Sequence, residues 1–164
     1  MSATLSLARD AFIRCMNRDT DRLERPRLLA VLDTMIAWSV ARPKLLKFRA
    51  DEGEKGVVRF ERVGSNQVFW SASPRRQEAP VLELLPGASR VLTPEERASA
   101  ISTLNSHTRE TLEPTGRLQI GFGALKNAAA NAAVLELMGA LLAKTQESRP
   151  DGKRTAQPVQ PVSS

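Results

Sequence analysis

The stretch VVRFERVGSNQVFWS, residues 57–71, decides the fold. Two runs rich in valine, phenylalanine and tryptophan flank Gly64, Ser65 and Asn66, a connection of the length and chemistry that closes a hairpin. Residues 57–63 and 67–71 are therefore predicted to pair as antiparallel strands. Successive side chains of a strand point to opposite faces, so register decides which residues share a surface. Together with Phe48, the residues Val58, Phe60, Val68 and Trp70 make one apolar set. Lys47, Arg49, Arg59 and Glu61 are the candidates for the other side.

Outward from the hairpin, residues 44–49, 81–85 and 117–120 carry the same strand character between glycine and proline punctuation. Upstream, Leu5, Ala8, Phe12, Cys15 and Met16 recur at helical spacing, which predicts an amphipathic helix over 5–18. Pro26 opens a second, more uniformly apolar helix that stops at Pro43, and Asp33 within it needs a partner or a wet edge. Thr93, Pro94, Glu95 and Glu96 form a capping box for a third helix. An alanine-rich helix over 124–144 follows the strand at 117–120. Beyond Lys144 the chain is polar, has three prolines after Arg149, and loses its apolar period, as a disordered tail does. The expectation is an α+β fold in a single domain: an N-terminal amphipathic helix within 1–25, a core over 26–144 whose mostly antiparallel sheet of four to five strands is covered by helices, and a disordered C-terminal tail over 145–164.

A chain of 164 residues with 41% hydrophobic and 26% charged residues buries a core without metal or disulfide staples. Cys15 is the only cysteine and no apolar leader opens the chain, so a cytoplasmic location is expected. The longest apolar segment, 125–143, is interrupted by Lys126, Asn127, Asn131 and Glu136, and no membrane partner is expected. The formal charge of +6 favours an anionic partner such as nucleic acid, a phosphorylated ligand or an acidic protein face, against the alternative that it is compositional background.

The binding candidates follow from that charge. In GRLQIGFGALKN, residues 116–127, a strand breaks at Gly121 and Gly123 into a helix carrying Lys126, a junction able to hold an anion on free backbone N–H groups. The turn after Ser71 displays Arg75 and Arg76, and Arg59 lies in the hairpin, so phosphate contact is expected there. Phe69 and Trp70 either stack on bases or fill the core; with aromatics at 4% of the chain, the core has first claim. A different function class arises from Ala128, Ala129, Ala130, Ala132, Ala133, Gly139 and Ala140, whose small side chains permit close approach of another element, either within the core or from a second subunit in a protein-interaction or oligomerisation module.

The element order over 27–143 resembles the αβββαβ order of the restriction-endonuclease-like nucleases. That resemblance implies an aspartate on one hairpin strand and Glu-x-Lys on the next, holding magnesium beside a phosphate. Here the second pattern reads Glu83, Leu84, Leu85, and no catalytic residue is carried over. A metal-dependent phosphodiesterase would have to use Asp33 and Glu83. His107, the only histidine, falls near a helix end where it caps carbonyls, and Cys15 lies on an apolar stripe. The expectation is a non-enzymatic binding module without cofactor or metal.

Overall fold

The computed structural model describes residues 2–16, 22–50, 56–74, 80–86, 92–108, 111–113 and 116–147. In chain order its elements are helices α1 (Ala3–Met16) and α2 (Arg25–Val40), strands β1 (Leu46–Arg49), β2 (Val58–Arg62), β3 (Val68–Ser73) and β4 (Val81–Leu84), helix α3 (Pro94–Asn105), strand β5 (Leu118–Gly121), and helices α4 (Phe122–Leu125) and α5 (Ala128–Glu147). The five strands lie in sequence order in one antiparallel sheet. This is the expected α+β architecture, with an open sheet and helices joined in one hydrophobic core.

Register explains which side of the sheet the helices take. Phe48, Phe60, Trp70, Leu84 and Leu118 are successive cross-strand partners, and Val58, Ala72, Leu82 and Ile120 form a parallel row two residues away. Both rows belong to the core, where they meet Phe12 of α1, Leu32 and Met35 of α2, Leu104 of α3 and Val134 of α5. Phe60 stacks on Trp70 at a centroid separation of 5.1 Å, and Phe48 meets the edge of Phe60 at 6.0 Å. The indole Nε1 of Trp70 donates to Ser39 Oγ at 2.8 Å, and Ser39 in turn donates to the Met35 carbonyl at 2.9 Å. A fully buried indole is thereby satisfied from α2.

One detail departs from simple alternation. The β2–β3 register shifts after Phe60, so that Glu61 opposes Val68 and Phe69 is the extra residue of a bulge. Phe69 and Trp70 consequently both reach α2, Phe69 by stacking on Trp38 at 6.3 Å. Val68, expected in the apolar set, instead lies opposite Glu61 and is half-buried.

The remaining helices are held by local chemistry and a few long-range bonds. Asp33 has its partner: Arg9 of α1 donates to both carboxylate oxygens, at 2.7 and 2.9 Å. The capping box at α3 is formed, with the Glu96 N–H donating to Thr93 Oγ1 and the Thr93 N–H to Glu96 Oε1. Lys144 of α5 closes on Glu96 at 2.8 Å, tying the end of one helix to the start of the other. The last helix continues to Glu147, and Thr145, placed in the tail by the sequence pattern, is buried and donates to the Leu142 carbonyl. Residues 148–164 of the expected tail lie outside the described residues.

Candidate functional site

The face of the sheet turned away from the helices is polar. Arg49, Arg59, Ser71, Glu83 and Gln119 are successive partners across the five strands and form one continuous row. Beside it, Lys47 opposes Glu61, and Ser73, Val81 and Gly121 form a short third row. No residue of these rows belongs to the hydrophobic core. The alternation that fills the core thus sets the polar residues side by side on the opposite surface.

Two carboxylates organise this face. Glu83 accepts a two-bond fork from Arg117, Nε to Oε2 at 2.9 Å and Nη2 to Oε1 at 2.6 Å. The Arg117 side chain is 69% exposed, whereas that of Glu83 is 11% exposed, so the cation lies over a carboxylate that neighbouring side chains shield from water. The hydrogen bonds from Arg117 to Glu83 and the charge of that carboxylate hold the arginine pKa above its ordinary value. Glu61, similarly shielded, is approached by Lys47 at 3.4 Å and Arg49 at 3.8 Å. Arg49 also donates to the Asn66 carbonyl at 3.1 Å, at the hairpin turn. Lys47, Arg49, Arg59 and Arg117 against Glu61 and Glu83 leave the face with an excess of positive charge.

Of the residues expected to bind an anion, Arg59 is on this face and half-buried. Gly121 reaches its edge by pairing with Val81. Arg75 and Arg76 lie outside the described residues. The junction at 121–126 differs from its expected form. The chain makes only the four-residue turn of α4, then breaks at Lys126 and Asn127, and α5 starts afresh with the Ala130 N–H donating to Asn127 Oδ1 at 3.1 Å. Asparagine competes well for a helix start, which the apolar pattern on either side conceals. The Phe122 N–H is taken by the Pro80 carbonyl at 2.8 Å, and Lys126 is ion-paired with Glu24. Gly121 has ordinary extended dihedrals, and a Cβ at Gly121 or Gly123 would meet no atom within 4 Å. The fold itself demands glycine at neither position.

The core has the hairpin aromatics, as expected: Phe69 and Trp70 are both completely buried against α2, which leaves neither for base stacking. Asp33 and Glu83 do not share a site either: one is bound to Arg9 between two helices, the other to Arg117 on the opposite side of the sheet. His107 is half-buried just past α3, where its backbone N–H donates to the Leu104 carbonyl. Among the described residues no group of three or more histidine, cysteine or acidic side chains is gathered as a metal would need. The pair Arg117–Glu83 is the feature that sequence reasoning missed. Its partners are 34 residues apart, and only the alternation of Val81, Leu82, Glu83 and Leu84 hinted that Glu83 faces away from the core.

Compared with protein-family models, with curated proteins and with solved structures, the chain shows no match.

Proposed function

We propose that this protein is a non-enzymatic binding module that engages an anionic partner, nucleic acid in particular, through the open face of its sheet. The observation that carries the reading is the five-strand polar row from Arg49 to Gln119, flanked by Lys47 and Arg117. A face with four cations and two carboxylates, rigidly backed by the aromatic core, suits contact with phosphates. Arginine outnumbers lysine by 18 to 6 in the chain, which favours planar, two-bond recognition of oxyanions. The test is a titration of labelled oligonucleotides with the wild type and an Arg49→Gln, Arg59→Gln double variant. Loss of two phosphate contacts lowers low-salt affinity roughly tenfold and flattens its salt dependence. Equal affinity in a variant that melts like the wild type rejects the face as the site.

A second reading rests on α5. Residues Ala128–Gln146 are long and apolar enough to cross a membrane by length and composition, yet only a third of that segment is buried. Val134, Met138, Leu141 and Leu142 are used by the core, while Ala129, Ala132, Ala140 and Ala143 are left exposed. A self-association surface on this helix predicts a dimer in sedimentation that Ala132→Glu converts to a monomer. A monomer at high protein concentration removes this reading.

A further inference from the structure

We propose, resting on the anionic-partner reading above, that Glu61 and Glu83 are resident stand-ins for phosphate, which order the cations of the open face in the free protein and compete with the backbone of a double-stranded nucleic acid for them. The Arg117–Glu83 contact uses the two-bond fork that arginine also presents to a phosphate. Its carboxylate is shielded while its arginine is mostly exposed, so an incoming oxyanion meets the cation from the solvent side. Lys47 and Arg49 hold Glu61 more loosely, at 3.4 and 3.8 Å, and give way more readily. A face that was simply a solvated surface has no reason to bury two carboxylates under its cations, because desolvating them is costly.

The layout points to a duplex. Glu61 on β2 and Glu83 on β4 are two strands apart and offset by two residues, since Arg59 shares the Glu83 row. Strand spacing and rise place the two carboxylates on which the cations converge roughly 12 Å apart, comparable with the ~12 Å width of a B-DNA major groove. Between the groups on β3 lie Val68, opposite Glu61, and the buried Ser71, opposite Glu83. The aromatics of the same strands, Phe60, Phe69 and Trp70, are buried on the core side, so the face has no stacking platform from them for unpaired bases. Recognition then runs through phosphates, and base sequence matters little.

The experiment measures fluorescence polarisation of a labelled duplex, the matching single strand, and a labelled poly-glutamate peptide, at two salt concentrations. The proteins are the full-length wild type, Glu61→Gln, Glu83→Gln and the control Glu136→Gln. Glu136 is exposed on α5, so its neutralisation changes net charge equally without touching the sheet. The expected result is duplex binding that Glu61→Gln and Glu83→Gln each tighten about fivefold, with a steeper salt dependence, while Glu136→Gln stays near the wild type. Two sheet variants no tighter than the Glu136→Gln control overturn the stand-in role and leave the anionic face standing, provided Arg49→Gln with Arg59→Gln still weakens binding. Single strand or poly-glutamate bound as tightly as duplex overturns the duplex assignment. No binding of any of these probes by the wild type or by either sheet variant overturns both readings. Thermal melting checks each variant; if one glutamate variant fails to fold, the other decides.

Discussion

The two faces of the sheet are built from the same strands one residue out of step, yet they do opposite work. On one face Phe48, Phe60, Trp70, Leu84 and Leu118 are paired into a continuous apolar row and sealed by helices. On the other, Arg49, Arg59, Ser71, Glu83 and Gln119 run parallel to it and take no part in the core. Burial makes the first face unforgiving, since a lost side chain leaves a cavity. The second can change its outward-facing cations at smaller cost to folding, as long as its two shielded carboxylates keep a partner. On the proposed anion-binding reading, stability and recognition are therefore separable, a residue apart along each strand.

Substitutions can try to break that separation. Trp70→Ala removes the largest buried ring from the core row and is expected to cost about 3–5 kcal/mol in chemical denaturation. A smaller loss follows Ser39→Ala, which strips the buried Trp70 Nε1 of its acceptor: about 1–3 kcal/mol, the penalty of an unsatisfied donor. Thr93→Ala, which opens the capping box at α3, should lower stability by ~1 kcal/mol. On the polar face, Arg59→Gln is expected to shift stability by no more than about 0.5 kcal/mol while weakening oligonucleotide binding. A loss of stability as large as that of the core variants would mean the two faces are energetically coupled.

The smallest expected effect concerns pH. Glu96 is held below the ordinary carboxylate pKa, first by its hydrogen bond with Lys144 and then by the Thr93 backbone N–H. Its favourable interaction is present at neutral pH and above the unfolded-state value, and is lost as the pH falls through the lower folded-state value. The stability difference between wild type and Glu96→Gln should accordingly shrink on acidification below about pH 4. A difference that is constant from neutral to acid pH would show that the contact with Lys144 contributes nothing.

Much of the core face was legible from residues 57–71 and their neighbours, because period-two apolarity and the Gly64-Ser65-Asn66 turn both speak through local chemistry. The α3 cap was legible for the same reason: its bonds close within three residues. Three features were not. The bulge at Phe69 moves Val68 opposite Glu61, and one inserted residue leaves no mark in composition. The start of α5 at Asn127 lies inside a pattern that reads as a single helix. The clasp of Arg117 on Glu83 depends on pairing β4 with β5 across a helix, which periodicity alone does not specify. Arg59, Lys47, Arg49 and Glu61 were grouped correctly by alternation, while their relation to Glu83 needed the full register.

The most direct measurement is the affinity of the wild type and of Arg49→Gln with Arg59→Gln for a labelled duplex, followed from low to moderate salt, alongside their melting curves. Recognition by the open face predicts saturable binding that falls steeply with salt, a loss of roughly tenfold in the variant, and superimposable melting. Binding that is absent at low salt, or unchanged by removing both arginines, would contradict it.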